Sequence, residues 1–311
     1  KGMYNYLGDP YTSYLDKDST DNLMDRLKGE YKGIGVEITT NESGTVVMTV
    51  FENSPAEEAG IMVGDIITKV KGVDVNGKTT SEVSNMIKST NGNVEIEVNR
   101  GGITKTLTLK VSTVSIKSVI KNKYDKTGYL RIETFSNTTY KQFKENLETL
   151  EKDGIENLIV DVRNNGGGFL NSAVEIAELF VEKGKPIYGL QTKDKKEMYK
   201  DTTKEKRDYK VIVLINGGSA SASEVLAAAL KESYGATLLG TKSYGKGTVQ
   251  DTSELESGGM IKYTTAYWLT PKGVTINEKG LTPDIEVTGS FKDGMTLEND
   301  VELQTAINNL K

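Results

Sequence analysis

Three short segments of the chain carry residue types able to do covalent chemistry. The first is Asn216-Gly217-Gly218-Ser219-Ala220-Ser221-Ala222-Ser223-Glu224, where an apolar, strand-like stretch runs through small residues into a helical pattern. Such a turn lifts a serine hydroxyl into solvent beside the free N–H groups of a helix start, which stabilise anionic oxygen. The same residues also suit a plain N-cap with close helix packing. Composition does not choose among Ser219, Ser221 and Ser223. The second segment, Gly240 through Thr248, approaches the phosphate loop GxxxxGK[ST]. Gly247 stands where that loop needs Ser or Thr, and residues 248–252 read as a strand instead of a phosphate-binding helix, so the phosphate-loop reading fails. What remains is Lys246 between two glycines, able to approach another segment closely, or else an exposed turn lysine. The third, Asn164-Asn165-Gly166-Gly167-Gly168, follows a strand and either turns the chain or offers a backbone N–H to a developing oxyanion.

Composition narrows what these segments can do together. The 311 residues include no His and no Cys. A Ser-His-Asp triad, a Cys-His dyad and an HExxH zinc site each need a missing residue type, and disulfides are excluded. Lys, Asp, Glu or Tyr must therefore handle protons. A serine nucleophile without histidine is best served by a neutral lysine. Lysine titrates near about 10.4 in water, so the base must be desolvated or set near positive charge; Ala220, Ala222 and Ala227 supply small apolar neighbours. Such an apparatus needs no metal and no organic cofactor. The net charge of −5 argues against nucleic acid as the main partner. No apolar run approaches the roughly 18 residues of a membrane span. The chain opens at Lys1 without Met, as a trimmed piece would, and no signal peptide is visible.

The elements that must position these residues follow from periodicity. Residues 21–31 read as a short helix. Between 32 and 113 the pattern is that of a small domain: strands at 46–51, 65–70, 94–98 and 105–109, a capped helical turn at 54–60 and an amphipathic helix at 80–89. From 114 strands alternate with helices. Residues 158–162 and 211–215 are nearly continuous apolar runs, suited to strands covered on both faces; each is followed by a Gly-rich turn and a helix, at 170–181 and 221–233. Further strands are expected at 237–239 and 260–269. The lysine-rich stretch 193–210 reads as a solvated surface loop, and 300–310 as a short amphipathic helix.

In order and spacing the chain resembles the carboxyl-terminal processing (tail-specific) protease family of serine peptidases. The motifs that carry the resemblance are Leu7-Gly8-Asp9-Pro10-Tyr11-Thr12, Tyr31-Lys32-Gly33-Ile34-Gly35-Val36, Gly128-Tyr129-Leu130-Arg131-Ile132, the segment from Asp161 to Gly168, the serine segment, Gly245-Lys246-Gly247-Thr248-Val249-Gln250, Thr270-Pro271-Lys272-Gly273 and Gly280-Leu281-Thr282-Pro283-Asp284. The resemblance implies an α/β, crotonase-like (ClpP/crotonase) protease core with an inserted PDZ domain, a small β-barrel with helices. It divides the chain into residues 1–31 (N-terminal helical segment), 32–113 (PDZ), 114–290 (core) and 291–311 (C-terminal helical segment).

By the same resemblance Ser221 is the nucleophile, Lys246 the general base and Gln250 the residue that orients it, with the N–H groups of Gly167 and Ala222 as oxyanion donors. Gly33, Ile34, Gly35 and Val36 form the loop that catches a peptide's terminal carboxylate, and Arg100 is the candidate for coupling the PDZ domain to the core. The implied function is a serine endopeptidase that recognises apolar C-terminal tails and cleaves through an acyl-enzyme. It would act outside the cytoplasm, secreted or tethered to a membrane, on protein substrates and without nucleic acid, with dimerisation through terminal regions. Two other readings are a catalytically silent PDZ scaffold or regulator, disfavoured by intact Ser221 and Lys246, and crotonase-type acyl-CoA chemistry, which explains neither the PDZ insertion nor Lys246.

Overall fold

The computed structural model describes residues 8–289, 291–292 and 294–311. Two compact units emerge: Glu30–Ile116, and the residues on either side of it. In the smaller unit the strands Val36–Asn41, Gly44–Val50, Ile66–Val70, Asn93–Arg100 and Ile103–Lys110 form an antiparallel sheet in that order. Val94, Ile96 and Val98 alternate inward and are fully buried, as the period-two pattern requires. Gly101 and Gly102, both with positive φ, make the two-residue turn between the last two strands. Thr80–Lys88 is a helix opened by a Thr79–Glu82 capping box, with Val83 and Ile87 buried. Glu30–Gly33 pairs antiparallel with Ser112–Ser115, so the unit begins before residue 32 and ends after 113. Val36–Asn41 lies at the sheet edge, with one side unpaired among the described residues.

The larger unit is built on a six-stranded sheet: Val119–Tyr124, Thr127–Ile132, Asn157–Asp161, Lys210–Ile215, Thr237–Gly240 and Ile285–Glu286. After the first antiparallel pair, all neighbours run parallel. Alternate residues of each strand face opposite layers. Leu158 and Val160, with Val211 and Val213, join the helices Thr139–Lys152, Leu170–Glu178 and Ala222–Ala229 in one core. Ile159, Ile212 and Leu214 face the other way, onto Leu303, Ala306 and Leu310 of the helix Val301–Leu310. Hydrophobic contact on both faces explains the unbroken apolar runs. A second, antiparallel sheet contains Ser13–Leu15, Met260–Leu269, Pro186–Gln191 and Lys196–Lys200, with Thr248–Glu254 paired to Met260–Leu269.

Two expectations need correction. The first helix is Lys17–Lys28, not 21–31: Asp16 caps its start by accepting from Ser19 N–H, and Gly29, left-handed at φ 70°, ends it, releasing Glu30 and Tyr31 to a strand. The lysine-rich stretch is not wholly a solvated loop. Lys196–Lys200 is a strand whose Tyr199 stacks on Tyr188 at 4.7 Å, and Arg207 reaches Glu151 Oε1 and Leu179 O. The C-terminal helix Val301–Leu310 lies where the amphipathic pattern at 300–310 places it, and it directs Leu303, Ala306 and Leu310 onto the sheet of its own unit.

Candidate active site

The two Gly-rich turns lie at adjacent strand ends, because Asn157–Asp161 and Lys210–Ile215 are parallel neighbours in register. Asn216 closes the gap between them: its Oδ1 accepts from Asn164 N–H and Gly218 N–H, and its Nδ2 donates to Asn164 Oδ1 at 2.9 Å. The three serines of the second turn then separate by their surroundings. Ser219 is buried, accepts from Asn216 N–H at 3.0 Å and donates to Val162 O at 2.7 Å. Ser223, also buried, donates to Asn165 O at 2.8 Å. Ser221 instead lines a cavity of about 570 Å³ together with Lys246, Gln250 and Gly167. Its backbone is held at φ 57° and ψ −119°, a region in which a non-glycine residue stores about 1–3 kcal/mol of strain.

That strain is held by a residue the sequence reading passed over. Glu224 is fully buried, and its carboxylate accepts four hydrogen bonds: from Ser221 N–H (2.9 Å) and Lys246 N–H (3.0 Å) on one oxygen, and from Gly245 N–H (2.7 Å) and Ser243 Oγ (2.6 Å) on the other. A single side chain thus joins the serine turn to the lysine loop. The spacing Ser221-x-x-Glu224 is the signal that could have found it, since it is a capping-box signature. Burial pushes the Glu224 carboxyl up despite these donors. With four donors converging on two oxygens, we assign it as the carboxylate.

Lys246 stands where its flanking glycines let the loop close in. A side chain on Gly247 would meet Asn277 at 2.6 Å, and one on Gly245, itself at φ 91°, would meet Gly280 N at 2.8 Å. Trp268 Nε1 donates to the Lys246 carbonyl at 2.7 Å. Burial lowers the pKa of the Lys246 ammonium below the ordinary lysine value, the like charge of Lys262 adds to this, and Glu224 opposes it. Gln250 shares the cavity; its Nε2 donates to Thr248 Oγ1 at 2.8 Å and Thr264 Oγ1 at 3.4 Å, so its amide nitrogen is held by threonines.

The expected oxyanion donors differ in state. Ala222 is the first residue of the helix Ala222–Ala229 that follows Ser221, and its N–H has no protein acceptor among the described residues. Gly167 packs directly on the serine turn: a Cβ there would lie 2.8 Å from Ser221 Cβ and 3.0 Å from Ala222 N. Its N–H, however, donates to Asn165 Oδ1 at 2.8 Å, an Asx turn fixed by the bond from Asn165 Nδ2 to Ile132 O. In this conformation the Gly167 N–H is therefore occupied, against its expected role as an available oxyanion donor.

In the smaller unit, Gly33, Ile34 and Val36 line a narrow cleft of about 30 Å³ beside the helix Thr80–Lys88, with Tyr31, Ile38 and Ile87. Gly35 takes φ 88°, and a Cβ there would collide with Ser54 at 2.1 Å. The Tyr31 ring lies against Gly33, with its hydroxyl buried near the Gly35 and Val36 N–H groups. Burial pushes the Tyr31 phenol up to about 12, helped by Glu37 and opposed by the Gly35 and Val36 N–H groups. Arg100 forms a two-pronged pair with Asp65 (both 2.7 Å) and reaches Gly60 O, binding the 60–65 loop within its own unit.

Residues 126–287 match Peptidase family S41, and residues 33–111 match the PDZ domain. The chain belongs to peptidase family S41. It is 37% identical over 290 residues to a Staphylococcus haemolyticus protein named "Probable CtpA-like serine protease", and 38% identical to a protein of the same name in Staphylococcus aureus. Each match takes in 92% of this chain but 58% of the relative, so the chain spans little more than half the length of these curated relatives. Among solved structures it is similar to the photosystem II D1 C-terminal processing protease, at 30% identity and a TM-score of 0.56, over 92% of this chain and 80% of that one. The expected architecture, an α/β protease core interrupted by a PDZ domain, is the one this S41 chain has.

Proposed function

We propose that the chain is a Ser-Lys endopeptidase of the carboxyl-terminal processing type. The observation that carries this is the separation of the three serines: Ser219 and Ser223 are locked to backbone, while Ser221 faces the cavity that Lys246 also lines. Neutral Lys246 Nζ takes the Ser221 Oγ proton as Oγ attacks the scissile carbonyl. The resulting ammonium sits beside the oxyanion and returns the proton to the leaving amine, giving an acyl-enzyme that water then hydrolyses. The Ala222 N–H receives the oxyanion, and the Gly167 N–H joins it once it leaves Asn165 Oδ1. Gln250, its nitrogen held by Thr248 and Thr264, presents Oε1 to the lysine. An apolar substrate side chain fits against Leu23, Leu27, Phe135 and Val225 of the cavity wall.

The substrates are proteins with apolar C-terminal tails. Such a tail adds as a strand to the free edge of Val36–Asn41, with its carboxylate at the Gly33–Val36 loop; Arg100 is assigned the coupling of tail binding to activity. In this reading the full-length protein acts outside the cytoplasm, tethered or secreted, and forms a homodimer. The test is mass spectrometry of products from an unfolded protein whose C-terminal residues are varied, with Ser221→Ala and Lys246→Ala as controls. Cleavage lost in both variants, with the fold intact, is the expected result. Full activity in either variant removes the mechanism, and tail binding without cleavage by the unmodified protein supports a scaffold instead.

A further inference from the structure

The turn Gly8-Asp9-Pro10-Tyr11-Thr12 has no role in the mechanism above, yet it reaches the lysine. Lys246 Nζ lies over the Tyr11 ring, 5.0 Å from its centroid. Two devices fix the ring there. Asp9 accepts from Tyr11 N–H at 3.0 Å and from Thr12 Oγ1 at 2.5 Å, which closes the turn. Just after it, Ser13–Leu15 pairs antiparallel with residues 260–262 of Met260–Leu269, the strand that also carries Lys262 and Trp268. Among the described residues no carboxylate forms a salt bridge with Lys246 Nζ, and the Tyr11 ring face packs against it.

We propose that Tyr11 is a positioning residue for the general base, its ring holding Lys246 Nζ in the cavity and stabilising the ammonium that forms when Ser221 gives up its proton. This rests on the Ser-Lys reading. The charged and titratable groups around the lysine are Glu224 on the nucleophile helix, Lys262 on Met260–Leu269, Arg26 on Lys17–Lys28, and Asp9 and Tyr244 beside Tyr11. Glu224 favours the ammonium and Lys262 disfavours it; the ring adds to the favouring side without adding a charge.

The test compares Tyr11→Leu and Tyr11→Phe with the unmodified protein. Trace acetylation of Lys246, followed by mass spectrometry from neutral to alkaline pH, reports the titration of Nζ without any need for catalysis. With Leu the ring is gone, so Nζ titrates at lower pH, the acid limb of kcat/KM moves the same way, and the plateau falls about tenfold. With Phe the ring remains and all three measures stay near those of the unmodified protein. A Leu variant whose lysine titrates unchanged, or a Phe variant that behaves like Leu, overturns the proposal. If the unmodified protein cleaves nothing, the Ser-Lys reading falls, while the acetylation result still decides whether the ring holds the lysine.

Discussion

Glu224→Gln is the sharpest perturbation of this site, because it changes one atom and almost no volume. The four donors around Glu224 divide into two pairs, Ser221 N–H with Lys246 N–H and Gly245 N–H with Ser243 Oγ. Glutamine can turn its oxygen to only one pair. If its amino group faces Ser243, that hydroxyl, which already accepts from Leu281 N–H at 2.6 Å, loses its own acceptor, and so does Gly245 N–H. If it faces the other way, the backbone N–H groups of Ser221 and Lys246 lose theirs. Either orientation leaves two buried donors unpaired, at about 1–3 kcal/mol each, or about 2–6 kcal/mol in all. A domain of this size loses roughly 2–4 °C of Tm per kcal/mol, so Tm should fall by at least about 4 °C. If the lower end of that range is felt in the transition state, kcat/KM falls at least about 30-fold. The assays are thermal melting and hydrolysis of a peptide cleaved by the unmodified enzyme. A Glu224→Gln protein with unchanged Tm and unchanged kcat/KM would refute the reasoning, since the carboxylate would then not be what joins the two loops.

Other outcomes follow from the same geometry. Activity should rise with pH as Lys246 loses its proton, and the limb should lie below that of a free lysine because burial and Lys262 lower the pKa. Lys262→Gln removes the like charge, so the limb in kcat/KM should move to higher pH. Arg163→Met should cost about 3–5 kcal/mol in denaturant unfolding, because the fully buried guanidinium bonds Asp161, Asp300 and Glu302 at 2.6–2.7 Å. In that variant Glu302, whose carboxyl burial already pushes up, also loses the guanidinium that held it down, so its folded pKa lies above its unfolded one. The deficit should therefore shrink as pH falls and deepen as pH rises through those values. A chelator should leave peptide hydrolysis unchanged, and a rate restored only by added metal would contradict a Ser-Lys apparatus.

The parts of this protein legible in the sequence are those fixed by short-range pattern. Unbroken apolar runs at 158–162 and 211–215 announced strands packed on both faces, and Gly-x-Gly around Lys246 announced close approach to another segment. The choice of Ser221 was not legible from residue type, because it depends on which hydroxyls the fold ties to Val162 and Asn165, both more than fifty positions away. Glu224 was missed because its spacing from Ser221 suggests a local cap, whereas three of its four donors come from the lysine loop about twenty residues on. The Asx turn that occupies Gly167 was hidden for a different reason: Asn165 reads as a turn residue, and only the bond to Ile132 shows that its amide is locked. The 193–210 stretch misled because its charges mask Tyr199 and Arg207, which find partners across the fold.

On the Ser-Lys reading, the placement of Glu224 also answers how a lysine can serve where histidine is absent. In a Ser-His-Asp triad the carboxylate bonds the base itself, which suits an imidazole that must become imidazolium. A carboxylate about 4 Å from a lysine ammonium at an effective dielectric near 20 would stabilise the charge by roughly 4 kcal/mol, enough to keep the base protonated through neutrality. Here the carboxylate holds the lysine by its backbone N–H instead, and Nζ extends into a half-buried cavity shared with Lys262. Position is thereby set by a charge, while the pKa is set mainly by burial. The arrangement leaves Nζ in need of a contact that orients it without an opposing charge, and a ring face or an amide oxygen meets that need where a second carboxylate would not.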